Sequence, residues 1–420
     1  MIGGGMMFNI NYNRRDFISI GSLFCSMGLT DISLSEEQNN NISKEDSSVV
    51  WVWLGGGPTQ FETFHANKNQ VDSKYDSVNG KIITKQGHCL GGLWENLSKQ
   101  SDKIVTVNSF GHKDASHLHA SHYVMDGVYN SERSDAASQK DPSHGAIISA
   151  VYGPNGKHGI PHYVNQGKID GDKGAWLGSA FNPFDPSNKE NLIAKVELDR
   201  FANRFDLLNK LDLRNNSKNT ESWNDMQKQA YDTVLGQVHK AFDINLEPQN
   251  IKDQYGTGIG DQLLLARRLV ESGSKFITIH YGGWDMHSDI EKALKERISP
   301  LDKALAAFIQ DIWSRGLQKN VMLVVTGEFG RTTLNQTSGR DHWPMITPLL
   351  ISGGNYQMGR SIGTSDKSYV PQDNPFIPAD LKATVLNHFG IDPHIQRIDM
   401  SGRPRYLLEG ENNNPPKIIL

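Results

Sequence analysis

Cysteine is nearly absent from this chain. Only Cys25 and Cys89 occur in 420 residues, and Cys25 lies in a segment read below as an export signal. The one remaining thiol cannot close an internal disulfide or build a thiolate metal site, which needs several sulfurs. No apolar run reaches the length of about 18 residues that an ordinary membrane span requires. Charge of one sign is not in excess either: 43 Lys and Arg face 47 Asp and Glu, a net of −4. Neutralising phosphates in bulk takes a surplus of Lys and Arg, so nucleic-acid binding of that kind is excluded. Hydrophobic residues at 37% suffice for a large core, which excludes whole-chain disorder. Histidine, by contrast, is plentiful at 15 residues. Any metal bound here must sit on oxygen and imidazole.

Residues 11–32 read NYNRRDFISIGSLFCSMGLTDI. Arg14 and Arg15, followed by Asp16, Phe17 and a short uncharged stretch, resemble a twin-arginine export signal with a basic region ahead of a modest apolar one. Phe24 before Cys25 makes a poor lipoprotein box. Residues 33–48 are polar and are expected to be a disordered spacer. The folded part is expected to begin at residue 49 and run to 420. Length alone suggests two or three domains at roughly 150 residues each, a prior that large α/β folds break.

Apolar runs bounded by Gly and Pro predict buried strands at 49–54, 104–108, 276–280, 321–326 and 347–352. Helical spacing falls between them: at 143–151, at 259–271 with Gly273 near its end, at 301–313 after Pro300, and at 379–389 after Pro378. Alternation of strands and helices predicts an α/β/α sandwich with a central, mostly parallel sheet. Residues 182–250 are polar and lean helical, as an inserted helical segment would. Ligands in such sheets bind beyond the carboxyl ends of the strands, so the residues following each strand are the place to look.

Five such places carry acids, imidazoles or both. After the first strand comes GGGPTQFETFH, with three glycines, Thr59, Glu62 and His65. After the second comes SFGHKDASHLHASH, with His112, His117, His119 and His122; Ser116 stands where a helix is expected to begin, and free N–H groups there favour an anion. After the strand ending in His280 comes YGGWDMHSD. Asp285 and His287 are two residues apart and share a side in extended chain, a sound pair for a divalent ion. After the fourth strand comes GEFGRT, where Glu328 emerges and Arg331 follows; Arg suits bidentate binding of phosphate, sulfate or carboxylate. Finally Arg340, Asp341 and His342 in SGRDHWP precede the last apolar run. Each feature alone has a bland reading as a turn, a salt bridge or a polar surface. Their coincidence at five strand ends argues for a site.

The stretches YGTGIGDQLLLARRLVESG, GGWDMHS, TGEFGRT, GRDHWP and the tail DNPFIPADLKATVLNHFGID…GRP, with GAWLGSAFNPF and KAFDINLEP, resemble the domain-of-unknown-function 1501 proteins. These are sulfatase-like members of the alkaline phosphatase superfamily. The resemblance runs from about residue 49 to 404. It implies an alkaline-phosphatase-like sandwich carrying a divalent metal (zinc, manganese, calcium or magnesium) and acting on phosphate or sulfate esters. By position it implies Asp285, His287, Glu328, Asp341, His342 and Glu62 as metal residues. Ser116 is the nearest match to a nucleophile and Thr59 a weaker one, while Arg331 or Arg340 would bind the non-bridging oxygens of the ester. Phe329 stands where alkaline phosphatases have a second imidazole ligand. No Cys-x-Pro-x-Arg occurs, so the formylglycine chemistry of true sulfatases is not implied. The expected setting is the periplasm or cell envelope, reached through the twin-arginine machinery. The expected partner is a small-molecule or glycan ester, not nucleic acid. The other reading is a non-catalytic envelope protein that keeps the fold to bind sulfated or phosphorylated glycans.

Overall fold

The computed structural model describes residues 46–66, 76–129, 140–156, 159–187, 238–399, 402–408 and 416–420. The signal segment, the spacer up to residue 45, and residues 188–237 of the expected insertion lie outside the described residues.

The first strand, β1 (Ser48–Trp53), shows how the layers arise. Its Val and Trp residues suit a pleated, buried surface, and all six are buried. Side chains alternate between faces. Val50, Val52 and the following Leu54 enter one core, while Val49, Trp51 and Trp53 enter the other. Six further strands join it: β2 (Val105–Val107), β3 (Tyr163–Gln166), β4 (Phe276–His280), β5 (Val321–Thr326), β8 (Leu349–Gly353) and β9 (Arg360–Ile362). Between β5 and β8 lies a hairpin of β6 (Gly330–Leu334) and β7 (Arg340–Trp343), outside this sheet. The sheet order is β9-β2-β8-β5-β1-β4-β3. All neighbours are parallel except β8, which runs against both β2 and β5.

Each face is covered by helices. The core containing Val50 also holds Leu263, Leu264, Leu294, Leu301 and Leu305, contributed by α3 (Ile259–Glu271) and α4 (Ile290–Ser314). The opposite core holds Val124, Ile147, Ile148, Leu381 and Val385, from α1 (His117–Asp126), α2 (His144–Tyr152) and α5 (Pro378–His388). The architecture is therefore the expected α/β/α sandwich, and residues 43–420 group as one unit. No helix among the described residues is long and apolar enough to cross a membrane.

One helix start departs from the sequence reading. Pro300 does not open a helix; it lies inside α4, which begins ten residues earlier. An interior proline costs about 3 kcal/mol. Ile290, Leu294 and Ile298, at helical spacing ahead of it, are fully buried and contribute roughly 1.5–3 kcal/mol each, which outweighs that cost. Strand β8 is the one antiparallel member of this mostly parallel sheet. Because it is antiparallel to β5, its amino end lies at the edge where β5 ends. The β6–β7 hairpin that precedes β8 is thereby delivered to the same edge as Glu328.

Candidate metal centre

The centre begins with the three glycines after β1. Gly56 (φ +111°) and Gly57 (φ +76°) occupy backbone conformations that favour glycine. A Cβ on Gly56 would stand 2.5 Å from the Asp285 backbone nitrogen, and one on Gly57 would stand 2.5 Å from the Phe329 ring. This close approach lets Gly56 N donate to Glu328 Oε1 at 2.8 Å. It also lets the Gly57 carbonyl accept from Arg331 Nε at 2.8 Å and the Gly56 carbonyl accept from Arg331 Nη2.

The loop after β4 carries Asp285 and His287 and is fastened to the β6–β7 hairpin. Arg340 N donates to Met286 O at 3.0 Å, and the His287 carbonyl accepts from Thr337 Oγ1 at 2.7 Å and Asn335 Nδ2 at 3.1 Å. A short bridge pairs Ser288 with Ser338. Two segments more than 40 residues apart in sequence thus form one rigid wall. The start of α1 supplies the facing side.

Three imidazoles meet on Asp285 between these walls. Each has its Nδ1 fixed by an oxygen: His117 on Glu328 Oε1 at 2.7 Å, His287 on Asp341 Oδ1 at 2.8 Å, and His342 on the Ala115 carbonyl at 2.8 Å. Donation from Nδ1 to these acceptors fixes the tautomer and leaves a lone pair on Nε2. All three Nε2 atoms face the Asp285 carboxylate, at 3.4 Å for His117, 2.9 Å for His287 and 3.4 Å for His342. The Nε2 atoms of His287 and His342 are 3.2 Å apart. Lone pairs that converge on a carboxylate and on one another repel unless a cation lies among them. Donor atoms from His117, Asp285 and His342 lie within 4.8 Å of one another, the spacing of a metal site. The oxygens on Nδ1 are the outer-shell partners that metal-binding histidines commonly have. Imidazole plus carboxylate suits zinc, manganese or related ions. Glu328 Oε2 is buried without a hydrogen-bond partner, one more acceptor beside the cluster.

The electrostatics agree with this geometry. Burial opposes ionisation of Asp285, but the Arg331 hydrogen bond (2.6 Å) and charge, aided by His117 and His342, hold its pKa down at about 2. The Glu328 hydrogen bond raises the His117 pKa against the opposing effect of burial. Burial lowers that of His342. His280, at the end of β4, lies against Gly55 and is likewise lowered by burial.

The structure brings Asp285, His287, Glu328, Asp341 and His342 together. Glu62 and Arg340 go elsewhere. Arg340 Nη2 donates to Glu62 Oε1 at 2.7 Å, its guanidinium lies 4.0 Å from the centre of the Phe61 ring, and both side chains are fully buried. Glu62 Oε2 accepts from Thr59 Oγ1 at 2.5 Å, and its Oε1 also accepts from Val78 N at 3.1 Å. Arg331 is buried, and its donors reach Asp285, the carbonyls of Gly56, Gly57, Trp284 and Arg340, and His287 Nε2. It holds the loops in place. Ser116 is exposed at the start of α1 beside His117, and its hydroxyl makes no cap bond. His65 Nε2 pairs with Ser365 Oγ at 3.2 Å. Of the four histidines around α1, His112 is buried and its Nε2 donates to the Glu328 carbonyl at 2.6 Å, while His119 lies 3.5 Å from Asp114. Only His117 turns to the cluster. The density of histidine in that segment flagged it, but nothing in the spacing singled out His117.

A family model described as "Protein of unknown function (DUF1501)" matches residues 46–419. The chain belongs to the DUF1501 family. Among solved structures the chain is similar to the PsFucS1 sulfatase from Pseudoalteromonas sp., at 11% identity over 92% of this chain and 73% of that one, with a TM-score of 0.40. It is similar to the lipoteichoic acid synthase LtaP from Listeria monocytogenes, at 12% identity over 84% and 74%, TM-score 0.37. It is also similar to the C-terminal periplasmic domain of EcEptC from Escherichia coli in complex with Zn, at 10% identity over 84% and 87%, TM-score 0.39. No curated protein matches the chain.

Proposed function

We propose that this DUF1501 protein is an exported, metal-dependent hydrolase of phosphate or sulfate esters. The observation that carries the reading is the convergence of three Nε2 lone pairs and one carboxylate at the carboxyl edge of the sheet. His117, Asp285, His287 and His342 would hold the ion, with Glu328 and Asp341 orienting two of the imidazoles. A divalent ion there supplies Lewis acidity toward an ester oxygen and lowers the pKa of a bound hydroxyl or water. Arg331 keeps Asp285 ionised, and the three glycines bring the backbone close enough to seat both. Ser116, exposed beside His117, is the candidate hydroxyl at the start of α1. Within this reading residues 1–32 are a twin-arginine-type signal, a polar spacer follows, and one catalytic domain takes in the chain from β1 onward, so the spacer ends before Ser48, which is buried in that strand.

Turnover tests the reading. Wild-type protein loaded in turn with zinc, manganese, calcium and magnesium should hydrolyse an aryl phosphate or aryl sulfate, and Asp285→Ala should not. Absence of turnover with every ion would favour the second reading, a non-catalytic protein that binds sulfated or phosphorylated glycans. One observation supports that alternative: Arg331 and Arg340 are both buried against protein acceptors, so neither reaches outward to ester oxygens. Export is tested separately by Arg14→Lys with Arg15→Lys, which should retain the protein in the cytoplasm; unchanged export would sink the signal assignment.

A further inference from the structure

A second concave feature lies away from the metal centre. It is a cavity of about 260 Å³ whose lining includes Lys140, Asp141, Trp176, Lys382, Arg405 and Tyr406. Its lining carries Lys140, Lys382 and Arg405 beside Asp141, and Arg405 is paired with Asp399. Trp176 is half-buried, and Tyr406 is 47% exposed. Lys382 is fully buried in α5, and its Nζ donates to the Asp126 carbonyl at the last turn of α1, 2.5 Å away. Arg405 gives its Nε to Asp399 at 3.2 Å, and its side chain is 48% exposed. His117, in the metal centre, stands at the opposite end of α1. Nine residues at 1.5 Å each separate the two ends by about 14 Å. A molecule in the cavity therefore does not touch the metal residues.

Trp176 comes from the stretch GAWLGSAFNPF, Lys382 from PADLKATVLNHFG in the tail stretch, and Arg405 follows the Gly402-Arg403-Pro404 that ends that tail. The metal centre uses none of them. The volume falls just below the range of about 300–1,000 Å³ typical of small-molecule sites, so it suits one sugar-sized ring. Guanidinium and ammonium groups recognise a carboxylate or sulfate. Aromatic side chains add apolar faces with polar edges, which suit the mixed surface of a hydroxylated ring. We propose that this cavity binds a single anionic hexose, a sugar ring bearing a carboxylate or a sulfate, independently of the metal centre.

The test is ligand-observed NMR titration of the full chain with glucuronate, glucose 6-sulfate and neutral glucose. At least one anionic sugar should bind saturably, and glucose should not. Arg405→Ala should weaken binding about tenfold, the worth of one charge-assisted hydrogen bond, and Tyr406→Ala should weaken it as well. Both substitutions lie on the surface, so correct folding is expected and is checked by circular dichroism. Asp285→Ala should bind like the wild type, which separates this proposal from the hydrolase reading. Equal binding of glucose, no saturation by either anion, or unchanged affinity in Arg405→Ala and Tyr406→Ala would overturn it. Loss of binding in Asp285→Ala would also overturn it, by moving the sugar to the metal centre. Equal competition by inorganic sulfate would overturn the sugar assignment.

Discussion

Arg340 and His342 stand two residues apart on β7, yet they belong to two different kinds of polar cluster. Arg340 and Glu62 are sealed in the interior, and each is bonded to its opposite and to neighbouring protein groups. Their charges cancel in the interior, out of reach of a ligand. His342 joins Asp285, His117 and His287 in a half-exposed group where acceptors face acceptors. Arg331 reaches Asp285 and His287 there, and a metal ion among the Nε2 atoms would satisfy the acceptors that remain. The comparison teaches that acid and base content does not define a site. The test is whether the donors and acceptors cancel within the protein or converge with the same sign unmatched.

The largest expected effect separates the two clusters by metal content. Elemental analysis of purified wild type should find a stoichiometric divalent ion, and Asp285→Ala, His342→Ala and His117→Ala should each lose it. Asp341→Asn, which removes only the carboxylate behind His287, should weaken affinity by about 10–100-fold. Full metal retention in His117→Ala would take α1 out of the centre. No ion in the wild type, even after reloading, would undo the contrast between the clusters.

Next in size is the sealed pair. Arg340→Met strands Glu62 as a buried, unmatched carboxylate, and breaking such a pair costs roughly 3–5 kcal/mol. Denaturant unfolding should show this loss, and the double change Arg340→Met with Glu62→Met should recover much of it. If the single substitution were neutral in stability but stripped the metal, Arg340 would belong to the centre after all.

The smallest effect is acid titration of the metal-free protein. Asp285 has a folded pKa of about 2, below that of an unfolded aspartate. Its stabilising effect is therefore present above the unfolded value and is lost as pH falls toward about 2. Its side chain is 48% exposed, so solvent screening keeps the effect below about 1 kcal/mol. Asp285→Asn should lower the melting temperature slightly at pH 7, and the difference should vanish near pH 2. A difference that grew with acid would mean that Arg331 does not hold Asp285 in its charged form.

Much of this was legible in the chain itself. Runs such as VVWVW and VMLVVT, short and rich in β-branched residues, read as strands buried on both faces, and their alternation with helical stretches predicts the sandwich. The strand-end rule led to Asp285, His287, Glu328, Asp341 and His342 before any coordinates. It also led to Glu62 and Arg340, because an acid and a base close to strand ends look the same in sequence whether they meet each other or a ligand. Strands β3 and β9 were missed, being short and at the sheet edges, where the apolar signal is weakest. Pro300 misled because local propensity was overridden by the apolar stripe on both sides of it.

The sequence by itself determined the period of burial, the scarcity of sulfur that limits any metal to oxygen and nitrogen, and the glycines that allow backbone to approach Asp285. Those are properties of residue type and near spacing. Tertiary structure alone decided that β8 runs antiparallel and so carries the hairpin to the edge where β5 ends. It also decided that His117, of four nearby histidines, turns toward Asp285, and that Arg340 turns away to Glu62. The last two depend on which side chain meets which across more than 150 residues of chain and the first on strand pairing, and no local pattern encodes those meetings.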